Sequence, residues 1–328
     1  MELLNSIIKG VMKNRMKEID RIRQNPHLAQ GTTLRYLLQT ARNTEWGKRY
    51  GFGEIKSWET FKDRVPVIAY EELFPEIDRM MRGEQNILWP SKITWFAKSS
   101  GTTNARSKFI PVSKESLEGC HYKGGKDLLG IYVDNYPETK LFTGKGLSIG
   151  GSFQQNADND KAFYGDVSAV IMKNLPAWAE YIRAPRLKTA LMDKWEDKID
   201  RIAEETISQN ITSLAGVPTW TFVLLNHIIE KTGKSIPEVW PNLELFAHGA
   251  VAFGPYRDLF KDLIPTEKMH YLELYNASEG FFGIQDQPDS EDLLLMLDYG
   301  IFYEFIPAGH FDDEDPPTVL LADVEVGK

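Results

Sequence analysis

The sequence predicts an α/β fold, with mostly parallel sheets flanked by helices and an added β region near the C-terminus. Three observations carry this. Short apolar, β-branched runs alternate with amphipathic helical stretches over residues 86–285. A helix-patterned part, residues 1–85, precedes them, and a strand-patterned part, 286–328, follows. The 328 residues are 42% hydrophobic and 12% aromatic, enough to bury a large core in one large domain or two of ordinary size.

Leu3, Leu4, Ile7, Ile8, Val11 and Met12 recur at helical spacing, and that helix is expected to pack on its own domain rather than on a membrane. Helices are expected at 32–43 and 57–64. Pro66 breaks the pattern before another amphipathic helix at 70–82. The run ITWFA at 93–97 reads as a buried strand. It feeds a Ser/Gly/Thr loop, a short strand Phe109–Val112, and a helix that Ser113 caps and that runs to residue 129. Strands are expected at 145–149 and 169–172, and a charged helix at 193–209. A strand at 211–216 ends in Gly216-Val217-Pro218, and a helix at 219–232 ends at Gly233. A strand at 243–247 runs into Gly249, a helix covers 253–263, and a strand at 270–275 enters Asn276-Ala277-Ser278-Glu279-Gly280. Strands at 293–297, 300–307 and 319–324 complete the reading, with an exposed acidic turn at 312–317. Ligands of open α/β sheets sit at the carboxyl ends of strands, which singles out the loops after Ala97, Leu214 and Leu274.

Composition removes several functions. A net charge of -9 counts against a general nucleic-acid binder. The single cysteine, Cys120, excludes an internal disulfide and a multi-thiolate zinc site, and a reducing cytoplasm is the expected compartment. Charges interrupt every apolar stretch of the first 26 residues, so they do not read as a signal peptide. No run approaches the ~18 apolar residues of a membrane span, and no membrane partner is expected.

Two segments carry chemistry. Ser99-Ser100-Gly101-Thr102-Thr103 combines hydroxyl donors with a glycine that lets the backbone approach an anion, and Arg106 and Lys108 follow. It reads as a phosphate-gripping loop or as a polar surface turn. Tyr275-Asn276-Ala277-Ser278-Glu279 offers a carboxylate at a strand end, suited to Mg²⁺, with a hydroxyl beside it and an aromatic ring before it. Its bland reading is a tight turn with an exposed Glu. Gly150-Gly151-Ser152-Phe153-Gln154 lacks the last glycine of a nucleophile elbow, and the sequence holds neither a P-loop nor a convincing dinucleotide fingerprint.

Together, Ser99–Thr103, the Lys-Phe-Ile-Pro run from Lys108 to Pro111, and Tyr275–Glu279 resemble the acyl-adenylate-forming enzymes. More specifically, the chain resembles the GH3 auxin-responsive family of acyl-acid amido synthetases. The TEWGKRYGF segment from Thr44 and the Arg64-Val65-Pro66-Val67 stretch are similar to that family too, and the resemblance covers essentially the whole chain. It implies a ligase with ATP and Mg²⁺ that converts a carboxylic acid to an acyl-AMP, then passes the acyl group to an amine, usually an amino acid. Ser99, Ser100, Gly101, Thr102 and Thr103 would wrap the β- and γ-phosphates, and Lys108 would add charge there. Tyr275, with Asn276 and Ala277, would pack on adenine, Ser278 would touch the α-phosphate and Glu279 would hold Mg²⁺. Gly249 and Ala250 would wall the adenine, and Val217, Pro218 and Phe253 the acyl group. His248, in the same loop, reads as a satisfied structural histidine. Phe153, Trp220, Phe222 and Phe253 are pocket aromatics or core residues.

The family's third motif, Tyr-Arg-x-Gly-Asp, and its small C-terminal domain would lie beyond Lys328. The resemblance therefore implies that 1–328 is the large N-terminal adenylation domain, impaired in the full ligation. An acyl-coenzyme A ligase and a non-catalytic nucleotide-binding module are the alternatives. Intact Lys108, Ser278 and Glu279 argue against the second.

Overall fold

The computed structural model describes residues 2–99, 107–325 and 327, with side chains from Gly10 onward. Two helices, Glu2–Gln24 and Pro26–Ala41, open the chain. Local capping sets the short helices that follow: Thr44 accepts from the Gly47 amide ahead of Glu45–Arg49, and Ser57 from the Thr60 amide ahead of Trp58–Arg64. The helix Tyr70–Met81 covers the first sheet.

That sheet holds β1 (Trp95–Lys98), β2 (Phe109–Val112), β4 (Phe153–Asn156) and β5 (Asn159–Gly165) in the order β2-β1-β5-β4. The second sheet holds β3 (Lys145–Ser148), β6 (Arg183–Ala184), β7 (Ile211–Gly216), β8 (Leu245–Gly249), β9 (His270–Ala277), β10 (Gly280–Ile284) and β11 (Leu294–Leu295). Its order is β11-β10-β9-β8-β7-β3-β6. Strands β6, β3, β7, β8 and β9 are parallel neighbours, while β10 and β11 add on antiparallel. The expected mostly parallel sheet with flanking helices is therefore present.

Helices Trp195–Thr206, Pro218–Thr232 and Gly254–Leu263 cover one face, packing Leu225 and Phe260 with Leu214 and Phe246 of the sheet. Gly233 ends the middle one at φ 65°, a left-handed conformation that glycine takes freely. The helix Tyr122–Asn135 covers the other face through Leu128, Ile131 and Tyr132, packed with Leu272 and Phe281. The first helix docks on it. Arg15 reaches both oxygens of buried Asp127 (2.6–3.0 Å) and also Asp298, which Lys123 pairs at 2.8 Å. The first helix thus packs on its own domain through Arg15 and Met12, while Val11 is exposed and the side chains of Leu3, Leu4, Ile7 and Ile8 lie outside the described ones.

Three expectations change. Residues 169–172 lie in a helix, Val167–Lys173, with Ala169, Val170 and Met172 buried. A four-residue apolar run has no periodicity to tell strand from helix, and Val170 joins the core beneath β1 through Ala97 and Val112. The β4–β5 hairpin emerges from a polar, Asn-rich stretch not read as strands. The C-terminal strands are shorter than expected: β11, β12 (Glu304–Phe305) and β13 (Val319–Leu320) have two residues each. Among the described residues, no helix is long and apolar enough to cross a membrane.

Candidate active site

The strand ends of the large sheet align. Ser148 pairs with Ala215, Gly216 with His248, and Gly249 with Leu274. The turns after β3, β7 and β8 therefore open on one edge, and β9 runs past them by Tyr275, Asn276 and Ala277. Lys198, buried, donates to the Gly150 and Gly151 carbonyls at 2.8 and 3.2 Å, fixing the first turn. Val217 precedes, and buried Pro218 begins, the helix Pro218–Thr232, where the missing N–H of proline costs nothing. At Gly249 an added Cβ would lie 2.3 Å from the Leu274 carbonyl oxygen, so only glycine lets β8 and β9 approach there. Ala250 follows at φ 71°, a strained conformation for a residue with a side chain.

His248 is 2% exposed and stacks on Phe253 with ring centroids 3.8 Å apart. Its Nδ1 has no hydrogen-bond partner among the described residues, so it is not the satisfied histidine expected. Burial, with Arg257 nearby, pushes it down to about 3, and it is neutral at physiological pH. Phe253 is itself buried among Phe246, Phe260 and Tyr271, so it backs the edge through His248. Trp220, by contrast, is half-exposed and packs on Trp195.

Ser278 and Glu279 form the two-residue turn of the β9–β10 hairpin, where Ala277 pairs with Gly280. Glu279 is exposed and makes no ion pair among the described residues. Tyr275, 55% exposed, leans on Phe282 with centroids 5.0 Å apart. Beneath the turn, Asn276 and Phe281 face each other across the hairpin. Consecutive residues of one helix seize both: His121 Nδ1 meets Asn276 Oδ1 at 3.0 Å, and Cys120 Sγ accepts from the Phe281 amide at 3.1 Å. Both lie in a π-helical turn, Leu117–His121, which follows β2 and the helical turn Lys114–Ser116 and leads into Tyr122–Asn135. Burial lowers the His121 pKa, so the ring is neutral, with Nδ1 donating to the amide oxygen and Nε2 left as an acceptor. Burial likewise raises the Cys120 thiol, which keeps its proton. Gly124 is close by, where a Cβ would sit 2.5 Å from the Phe281 ring.

Sequence reasoning missed His121 and Cys120. The surrounding stretch, with Glu118 and Lys123 close by, carries no local signal that would have singled them out.

The loop between β1 and β2 closes at a neck. The Ser99 amide donates to the Lys108 carbonyl at 2.8 Å, and the Lys108 amide to Ser99 Oγ at 3.1 Å. Lys108 Nζ lies 3.9 Å from Glu71 and 5.1 Å from the Tyr70 ring centroid. Tyr70 OH accepts from the Phe109 amide at 2.7 Å. Ser100, Gly101, Thr102, Thr103 and Arg106 lie outside the described residues. Among those described, no group of three or more His, Cys, Asp or Glu stands ready to hold a metal. A cation at Glu279 would therefore complete its shell largely with substrate phosphates and water, the habit of Mg²⁺.

The backbone matches AtGH3.15 acyl acid amido synthetase in complex with 2,4-DB at TM-score 0.77 and 16% identity, over 96% of this chain and 63% of that one. It matches 2-hydroxyisobutyryl-CoA ligase with 2-HIB-AMP and CoA at TM-score 0.52 and 14% identity, over 81% and 53%. These likenesses show the fold. A family model described as the GH3 family N-terminal domain matches residues 15–269, and the chain belongs to the GH3 family. Relatives in Arabidopsis thaliana include indole-3-acetic acid-amido synthetase GH3.4, 25% identical over 377 residues, and probable indole-3-acetic acid-amido synthetase GH3.1, 34% identical over 377 residues. Each alignment covers 95% of this chain and 62% of the relative, so the chain spans about 62% of the length of these curated relatives.

Proposed function

We propose that the chain carries the acid-activating site of an ATP-dependent acyl-acid amido synthetase, with residues 1–328 as one adenylation unit working in the cytoplasm. The observation that supports this best is the double grip of His121 and Cys120 on the Tyr275–Glu279 hairpin. It ties the carboxylate turn to the helix that springs from the phosphate loop's own strand.

In this reading a carboxylate oxygen attacks the α-phosphorus of ATP and the bond to pyrophosphate breaks, giving acyl-AMP. An amine nitrogen then bonds the acyl carbon as AMP leaves. A carboxylate is already ionised, so the protein must position it more than activate it. Ser99 to Thr103 and Lys108 hold the β- and γ-phosphates, and Ser278 donates to the α-phosphate. Tyr275 covers the adenine, which Gly249 and Ala250 admit closely, with Asn276 and Ala277 shaping that wall. Val217 and Pro218, with Phe253 behind them, border the acyl group. Glu279 is the residue that would hold Mg²⁺, which when bound neutralises phosphate charge.

The test is ATP–pyrophosphate exchange over a panel of aromatic and aliphatic acids, with hydroxylamine added to trap the acyl group. Acid-dependent exchange with hydroxamate formation is expected. Preferential transfer to coenzyme A would replace this reading with a thioester ligase, and ATP binding without exchange with a non-catalytic module.

A further inference from the structure

A small pocket of about 220 Å³ opens between the helix Pro26–Ala41, the turn that leads into Trp58–Arg64, and residues beside the paired strands β12 and β13. It is separate from the candidate active site. Gly31, Leu34, Arg35 and Leu38 face it from the helix, whereas Leu28, Thr32 and Tyr36 turn to a larger cavity of about 990 Å³ that Glu279 borders. No residue lines both.

The floor of the small pocket is apolar. Leu34, Leu38 and Ile55 are buried in one cluster, with Trp58 and Phe302 packed on them. The neutral polar side chains on the lining are already spent on the protein. Gln30 donates to the Leu297 and Ile301 carbonyls and accepts from the Tyr303 amide. Ser57 Oγ accepts from the Thr60 amide, Trp58 Nε1 donates to Glu304 at 2.7 Å, and Tyr303 OH donates to the Met296 carbonyl at 3.3 Å.

The cations on the lining are not spent. Arg35 gives one N–H to Thr32 Oγ1 at 3.2 Å and pairs with no acid among the described residues. Lys56 and His27 have neither a hydrogen bond nor an ion pair among those residues. No Asp or Glu lines the pocket, in a chain whose net charge is -9. A space of this volume is only about 8 Å across if compact, which brings one ligand within reach of the long, flexible heads of both Arg35 and Lys56.

We infer that this pocket is a second, non-catalytic binding site for a small carboxylic acid with an apolar body. The body lies against Leu34, Leu38 and Phe302, and the carboxylate sits between Arg35 and Lys56, where both bonds are charge-assisted. The site goes beyond the proposed function and does not depend on it. A neutral amide of the same skeleton forgoes the charge, and an amine meets like charge. Inorganic phosphate would lay unpaired oxygens on the apolar floor, a cost that an apolar tail avoids.

The probe is 3-phenylpropionate, against 3-phenylpropanamide, 3-phenylpropylamine and inorganic phosphate. Methyl NMR of the whole chain reads binding at Leu34, Leu38 and Ile55. These three border the small pocket and not the larger cavity, so an acid bound at the candidate active site does not enter the reading. Arg35→Gln and Lys56→Gln remove one charge each. At Gly31 an added Cβ meets only the Arg35 guanidinium, at 3.9 Å, so Gly31→Phe has room to fold and fills the pocket. The expected result is a saturable shift of the three residues' methyl signals with 3-phenylpropionate, at least tenfold weaker with the amide, the amine and phosphate. The acid should bind at least tenfold more weakly to Arg35→Gln and Lys56→Gln and not at all to Gly31→Phe. Methyl signals that do not move with the acid, an amide or phosphate that binds as tightly, or charge variants that bind like wild type would overturn the inference. Pyrophosphate exchange without these shifts removes this inference alone, and these shifts without exchange remove the proposed function alone.

Discussion

The Ser278-Glu279 turn is gripped through both of its strands, at Asn276 by His121 and at Phe281 by Cys120, whereas the loop between β1 and β2 closes at a neck of two hydrogen bonds. The partners on the hairpin are buried and lie 155 and 161 residues away in sequence. Those on the neck are its own two ends. Lys108 leans on an exposed glutamate and the face of the Tyr70 ring, contacts worth about 0–1 kcal/mol. The contrast teaches a division of labour. The carboxylate turn is held in place by the core, while Lys108 is held only by weak surface contacts, which under the proposed function leaves it available to a phosphate.

Substitutions can break that contrast. The largest effect is expected at the neck and on activity alone. Lys108→Ala should lower pyrophosphate exchange about a hundredfold and leave the urea midpoint within about 0.5 kcal/mol of wild type. A comparable loss of stability would show that Lys108 is structural. His121→Leu should act the other way. It strips the half-buried Asn276 amide of its partner and costs about 1 kcal/mol of stability, read by urea unfolding. An unchanged midpoint would mean that the grip holds nothing.

Acid should weaken the edge through His248. Its native pKa is depressed to about 3, so below the ordinary value the unfolded chain binds a proton that the native chain refuses. Stability is therefore full above about pH 6.5 and falls as pH drops towards 3, by about 2 kcal/mol from this residue between pH 7 and 5. Burial also depresses His121 and His270, which adds to the slope. His248→Phe, stacked on Phe253, should flatten the urea-midpoint profile, and an unaltered profile would remove His248 from the account. The smallest effect is at Ala250, where Ala250→Gly relieves the positive φ and should gain up to about 1 kcal/mol in thermal unfolding.

Much of this was legible in the sequence because it is local. Ile211–Gly216 followed by Val217-Pro218, and Gly233 at a helix end, are punctuated by residues whose backbone preferences leave little choice. The two candidate segments were singled out by composition and by resemblance, and the structure shows the second as a hairpin turn at a strand end while residues 100–106 of the first lie outside the described residues. Residues 169–172 misled because four apolar residues fit either structure, and the β4–β5 hairpin because its pairing overrides a polar, Asn-rich composition. The grip on the hairpin was out of reach for another reason. Nothing near Cys120 or His121 records that residues some 160 positions away will pack there, and a π-helical turn has no periodicity signal to announce it.

The proposed function stands or falls on a nucleotide site with Glu279 as its metal carboxylate. Calorimetric titration of ATP and GTP, with and without Mg²⁺, into wild type and Glu279→Gln tests it most directly. The account predicts adenine-selective binding that Mg²⁺ tightens in wild type, and loss of the Mg²⁺ dependence in Glu279→Gln with no change in unfolding midpoint. Equal Mg²⁺-dependent binding by both proteins, or no preference for ATP over GTP, would contradict it.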